Sequence, residues 1–372
     1  MMELFPTAGL RPQLESAFAF AQRQVRALID RDPDFYPLYT QNGRWRHTGE
    51  AWTHWCDGFL PGMMWIFAER TRDELWKQLA ERYSRPLEPR RHDRNVHDLG
   101  FIFTSTYHRW FRLTGDEALE KVVIEAGQTM ALRFKERGEY LSSFIGPESL
   151  FIDIMMNVGI IFYAALRSGD RALFDIAQRH SLTTRRTLIR GDGSTAHEGI
   201  FDTETGEFQR QTTRQGKRGD TCWSRGLTWA LYGFGTAYYY TRDPRFLSTA
   251  EACAEYCLRH TPADGVPPWD YDITPDDPQH LDTSAAAIAA AGLFQLTELT
   301  MDPARALAYR NAALRIIHTL TAPPHLAVDR EGWEGILTGG VYHIHKGLGV
   351  DESVMWGEYF FVEALDRALA SQ

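Results

Sequence analysis

The sequence predicts an all-α protein, an (α/α)6 barrel of six inner and six outer helices with a small β-hairpin in a loop at its mouth. Three observations carry the prediction. Six segments, 55–69, 98–113, 150–167, 223–240, 282–299 and 353–369, are apolar nearly all round, as helices buried on every side must be. The segments that follow the tight turns, such as 117–135 and 304–320, are striped and suit an outer layer. The connections alternate: inner-to-outer joins are short, whereas outer-to-inner joins (31–54, 85–97, 136–149, 187–222, 261–281 and 321–352) are long. Long loops in a compact domain are usually functional, and all of these reach the N-terminal ends of the inner helices, so they crowd one mouth.

In chain order, the amphipathic stretch 14–29 supplies the outer helix that closes the ring beside the last inner one. The tight turns then repeat one signature, in TRDELWKQLA, TGDEALEKVV, SGDRALFDIA, TRDPRFLSTA and TMDPARALAY. Each has an Asp two residues after Ser or Thr (Asp73, Asp116, Asp170, Asp243, Asp302), placed to cap the following helix, with Pro244 and Pro303 at the first helical position. The stretch 201–213 alternates polar and apolar residues and turns at Thr205-Gly206, which gives the hairpin. The whole of 1–372 reads as one barrel domain.

The composition excludes several classes. A chain of 372 residues, 44% hydrophobic and 13% aromatic, fills a large core, and a net charge of −9 argues against a nucleic-acid partner. No apolar run is long enough to span a membrane. Cys56, Cys222, Cys253 and Cys257 show no disulfide framework and read as reduced thiols. With no leader-like N-terminus, the expected location is the cytoplasm, as a monomer or homodimer.

Candidate chemistry gathers at the mouth. Asp153 lies inside LFIDIMM, where a carboxylate is poorly hydrated and its pKa rises, which suits acid/base catalysis; the other reading is an Asp that caps its own helix. Asp98 begins the preceding inner helix, with the same two readings. Two acids on neighbouring staves split their pKa values and form an acid/base pair. Of the 11 Trp residues, Trp45, Trp52, Trp55, Trp223, Trp229, Trp269, Trp333 and Trp356 fall on the long loops or in first turns of inner helices. Such faces suit sugar rings, although Trp229 and Trp356 fit the core equally well. Arg225 is either a bidentate clamp for a substrate carboxylate or the partner of a loop acid. His197 is a sugar-hydroxyl ligand or a surface His. Arg214-Gln215, Asp282 and Glu358 reach the same mouth. His343 and His345 lack a third ligand at metal-binding spacing, so no metal and no cofactor is expected.

Taken together, WCDGFLPGMMW (55–65), NVHDLGF (95–101), FIDIMMN (151–157), RQGKRGDTCWSRGLTWALYGF (214–234), HLDTSAAAIAAAGL (280–293) and VMWGEYFF (354–361) resemble unsaturated glucuronyl hydrolases, glycoside hydrolase family 88, in order and over nearly the whole chain. The resemblance implies a substrate left by a polysaccharide lyase, carrying a 4,5-unsaturated uronic acid at its non-reducing end. It implies protonation of C4 of the vinyl ether and addition of water at C5. Asp153 would be the general acid and base, and Asp98 its partner at the ring hydroxyls. Trp55, His97, His197, Gln215, Arg225 and Trp229 match sugar-binding positions. Phe144 stands where some members carry Trp, and Arg214 where some carry His, a change that adds positive charge. Lys346, in the stretch 342–349, is a candidate for contact with the adjacent sugar, the other reading being a solvated lysine. The rivals are an unsaturated rhamnogalacturonyl hydrolase acting on pectin fragments and a non-catalytic oligosaccharide-binding toroid.

Overall fold

The structure, a computed structural model, describes residues 5, 9–46 and 54–371, so Trp52 lies outside the described residues. Among the described residues there are twelve staves, two of them broken. The outer helices are α1 (Leu10–Arg31), α3 (Glu74–Ser84), α6 (Glu117–Ala131), α9 (Arg171–Leu188), α11 (Pro244–His260) and α13 (Pro303–Leu320). The inner helices are α2 (Phe59–Thr71), α4 (Leu99–Ser105) continued by α5 (Tyr107–Thr114), α7 (Ile154–Asn157) continued by α8 (Gly159–Ser168), α10 (Ser224–Thr241), α12 (Thr283–Leu299) and α14 (Met355–Ala370). Inner helices touch in the order α2, α4, α7, α10, α12, α14, and α14 returns to α2 and α1, which closes the ring.

The repeated caps form. The side chains of Asp73, Asp116, Asp170, Asp243 and Asp302 accept from the N–H groups of Leu75, Ala118, Ala172, Arg245 and Ala304, so each outer helix after the first starts on a satisfied donor. Apolar inner faces then fill the ring: Met64, Trp65, Ile161, Phe234, Ile288 and Phe361 are essentially inaccessible to solvent. No helix among the described residues is long and apolar enough to cross a membrane.

Two features differ from expectation. The third inner helix does not begin at Leu150, because Ser149–Phe151 forms a strand, β5, that pairs antiparallel with β6 (Glu198–Phe201). The apolar run at 150–156 fits either element, and a partner strand far along the chain decides between them. The hairpin of β6 with β7 (Phe208–Thr212) starts three residues earlier than the alternation indicated, with Gly206 at φ 79° in its turn. Beyond that hairpin, the long loops also pair within themselves: β1 (Tyr39–Gln41) with β2 (Arg44–Arg46), β3 (Phe134–Lys135) with β4 (Tyr140–Leu141), and β8 (Gly340–His343) with β9 (Leu348–Glu352).

Candidate active site

The β5–β6–β7 sheet is the local reason the site forms. Phe151 pairs with Glu198, and the Ile152 N–H donates to the His197 carbonyl at 2.9 Å, so Asp153 and His197 leave the sheet side by side. Asp98 arrives from the next stave. Asn157 bolts the two staves together: its Oδ1 accepts from the Phe101 N–H at 2.7 Å, and its Nδ2 donates to the Asp153 carbonyl at 3.2 Å. The two carboxylates face one cavity of about 420 Å3, which Trp55, His97, Phe144, Arg214, Gln215, Arg225 and Lys346 also line.

Neither acid caps its helix. Asp98 and Asp153 occupy the residue before α4 and α7, yet their side chains accept no capping hydrogen bond. Asp153 Oδ2 is buried without a hydrogen-bond partner among the described residues. Burial and the negative charge of Asp153 push Asp98 up to about 8. Burial raises Asp153 to about 6, against the opposing charge of Arg225 and its own N–H. Near neutral pH, then, Asp98 keeps its proton while Asp153 exchanges its own.

A histidine stands beside each acid, and the hydrogen bonds fix its tautomer. His97 Nδ1 accepts from the Phe144 N–H at 3.1 Å, so its proton sits on Nε2, which lies 3.4 Å from Asp98 Oδ1. His197 Nδ1 accepts from the N–H groups of Arg214 and Gln215 at 3.1 and 3.3 Å, turning Nε2–H toward Asp153 Oδ2 at 3.7 Å. Burial pushes His97 down to about 3 and His197 well below its ordinary value, so both imidazoles are neutral donors. His197 is not a surface residue: it is 2% exposed, beneath Asp153 and against Trp223.

Several expectations are corrected. Arg225 is 1% exposed, and its guanidinium is already engaged. One terminal nitrogen donates to Asp282 (3.2 Å) and the Val341 carbonyl, the other to Gln215 Oε1 and the Tyr342 carbonyl. Trp223 and Trp356 sandwich it at 4.3 and 5.0 Å. Arg225 therefore forms an ion pair, with the acid that starts α12 and not one within a loop, and its terminal nitrogens are occupied by protein acceptors. Arg225 still places its positive charge beside Asp153. Arg214 does not add an unbalanced charge, because its guanidinium pairs with buried Glu198 at 3.1 Å. Trp229 does not line the cavity; its buried indole packs on Phe101 and Phe360.

The other Trp residues build walls more than they offer faces. Trp55 lines the cavity over Phe101 and Trp356, whereas Trp45 and Trp269 are buried in loop packing. Glu358 turns away, accepting from the N–H groups of Ile336 and Leu337 and so tying the last long loop to α14. Asp282 caps α12 in addition to pairing with Arg225. Sequence reasoning missed the lining residues Tyr342, Ile145 and Phe151, and considered His343 and His345 only as metal ligands. His345 Nε2 instead meets the Gly216 carbonyl at 2.7 Å, which draws the 342–349 stretch over the cavity. The proximity of Tyr342 to Lys346 in sequence was the available signal. Among the described residues no cluster of three His, Cys, Asp or Glu side chains has the arrangement to hold a metal ion.

The chain that forms this cavity is matched over residues 36–301 by a family model, Glycosyl Hydrolase Family 88. The chain belongs to Glycosyl Hydrolase Family 88. It is a glycoside hydrolase of the unsaturated glucuronyl hydrolase type. The unsaturated chondroitin disaccharide hydrolase of Streptococcus pneumoniae (strain ATCC BAA-255 / R6) is 31% identical over 325 residues, covering 85% of this chain and 82% of that protein. The solved unsaturated glucuronyl hydrolase of Bacillus sp. GL1, described as responsible for glycosaminoglycan degradation, superposes with a TM-score of 0.88 at 28% identity, covering 95% of this chain and 96% of that one. A mutant of the Streptococcus agalactiae enzyme, complexed with dGlcA-GalNAc6S, superposes with a TM-score of 0.84 at 28% identity, covering 100% of this chain and 94% of that one.

Proposed function

We propose that this family 88 hydrolase removes the 4,5-unsaturated uronic acid from the non-reducing end of lyase-generated oligosaccharides by hydrating its vinyl ether. The observation that carries the reading is the pair of uncapped, shifted carboxyls in one cavity, each faced by a neutral histidine. Asp153, at about 6, holds a proton that it can give and recover near neutral pH. It protonates C4, and water adds at C5 while its departing proton returns to Asp153. The hemiketal at C5 opens to a ketone, and the anomeric carbon then expels the remaining saccharide as an alcohol. Asp98, protonated up to about 8, offers an O–H to the sugar and adds no second negative charge. The neutral tautomer of His197 steadies the Asp153 carboxylate after proton transfer. Trp55 and Phe144 supply the apolar faces against which the unsaturated ring lies.

In this reading the chain from 1 to 372 acts as one catalytic domain in the cytoplasm, as a monomer or homodimer; its four buried free thiols support a reducing compartment. The test is a panel of unsaturated disaccharides from chondroitin, hyaluronan, heparin, ulvan, gellan and pectin, followed by loss of the conjugated C=C absorbance. Turnover of glycosaminoglycan-derived members is expected. Turnover confined to pectin fragments would transfer the protein to rhamnogalacturonyl substrates, and none on any member would leave only a binding role.

A further inference from the structure

A second cavity, of about 260 Å3, adjoins the first at Phe144, a residue that lines both. Its charged lining is all positive: Arg94, Arg133 and Lys135, brought together by the approach to α4, the end of α6 and the short strand Phe134–Lys135. Glu148 lies against Gly146 at its edge but does not line it. Arg133 is a fixed part of the wall. Its guanidinium donates to the carbonyls of Ser142, Arg94 and Ser143 at 2.7, 2.6 and 2.5 Å, and the carboxyls of Asp98 and Asp93 act on it only through space. Arg94 and Lys135 have no ion-pair partner among the described residues. Two cations of the catalytic cavity, Arg214 and Arg225, are by contrast paired with Glu198 and Asp282. Leu132, 60% exposed, and Phe144 place apolar surface beside the three cations. Apolar faces next to unpaired cations match an acidic sugar, with C–H groups on the ring and an anion at its edge.

We propose that this notch is a second anion subsite, taking the carboxylate or sulfate of a sugar on the leaving-group side of the scissile bond, farther out than the sugar held in the catalytic cavity. The assignment rests on the proposed hydrolase reading and extends it from disaccharides to longer acidic oligosaccharides. A chain leaving the catalytic cavity past Phe144 reaches the notch. Arg94 and Lys135 meet the anion, while Arg133 supplies a fixed positive field.

The experiment compares kcat/KM for wild type and the Arg94→Ala/Lys135→Ala double variant on unsaturated disaccharides and tetrasaccharides. Hyaluronan fragments carry carboxylate only, and chondroitin sulfate fragments carry both anions. The double variant is expected to lose about tenfold on tetrasaccharides, as two partly exposed charge contacts would give, with disaccharide turnover unchanged. In wild type, added salt should lower kcat/KM on tetrasaccharides more than on disaccharides. Loss confined to sulfated tetrasaccharides identifies sulfate as the anion, and equal loss on both identifies the carboxylate. Equal loss on disaccharide and tetrasaccharide, or no loss on either, overturns the subsite. If wild type turns over disaccharides and the double variant keeps its tetrasaccharide rate, only the subsite fails; if wild type turns over neither, the hydrolase reading fails with it.

Discussion

Asp98 and Asp153 stand where the chain's other helix-starting aspartates form caps, and neither forms one. An uncapped carboxyl held out of water carries its desolvation cost as a raised pKa, which makes it useful as an acid. Asp153→Asn is therefore expected to leave the circular dichroism spectrum intact while lowering kcat by roughly 10²–10⁴-fold for each proton-transfer role lost. In wild type, kcat/KM should decline above about pH 6, as Asp153 loses the proton it must donate; a profile flat to pH 9 would remove it from that role. The same shifts affect stability. A carboxyl raised in the folded state lends stability that is complete below its unfolded value of 3.8 and is lost as pH rises through its folded value, about 8 for Asp98. The wild-type Tm should fall between pH 4 and 8, and Asp98→Asn should flatten that fall. Parallel slopes for the two proteins would show that Asp98 is not raised.

Between elements, the distance from Asp98 to Asp153 is set by how closely α4 approaches α7. Gly100 allows the approach: a Cβ there would fall 2.6 Å from the Asn157 Cα and 2.8 Å from its carbonyl oxygen. Because the obstacle is backbone, Gly100→Ala must push the staves apart, at about 1–3 kcal/mol by overpacking. Both the urea midpoint and kcat should drop, since the acids sit at the ends of these staves. Asp302→Ala makes the useful contrast, because it deletes the cap of outer helix α13 far from the acids. It should cost about 1 kcal/mol and leave kcat unchanged. A Gly100→Ala protein with wild-type kcat would show that the site tolerates a wider spacing. The sheet of β5, β6 and β7 works at this scale too, since a strand where helix was expected turns Asp153 toward His197.

Across the whole molecule, the two ends of the barrel are held differently. Loops knit the mouth, whereas a charge network knits the floor. Glu363 of α14 accepts from Tyr232 of α10 and from Arg367, and Arg109 of α5 lies 3.8 Å from it while pairing with Glu69 of α2 at 3.1 Å. Removing one partner of such a buried set leaves the remaining charges uncompensated, so Glu363→Leu should cost about 3–5 kcal/mol. Below its melting transition the variant should turn over substrate at the wild-type rate, because the floor is the far end of the ring from the acids. A kcat loss without a Tm loss would contradict this division.

The ring was legible because its determinants are local. All-round apolar segments, Asp caps two residues after Ser or Thr, and alternating connection lengths each act within one helix pair, and their repetition leaves closure as the way to bury every inner face. The candidate acids were legible for a related reason: a carboxylate inside an apolar stave stands out in the chain. What the residues of the wall do was not legible. Arg225 has the chemistry of a uronate clamp, yet carbonyls contributed by residues 341 and 342 and the Asp282 carboxylate occupy its terminal nitrogens. Trp229 reads like a sugar platform until Phe101 and Phe360 cover it. The chain alone thus determined helix count, ring order and which acids stand at the mouth, because these follow from periodicity and capping along contiguous residues. Only tertiary structure decided that β5 is a strand, which histidine tautomer faces each acid, and which cations remain unpaired. Each of those depends on a partner brought from a distant part of the chain.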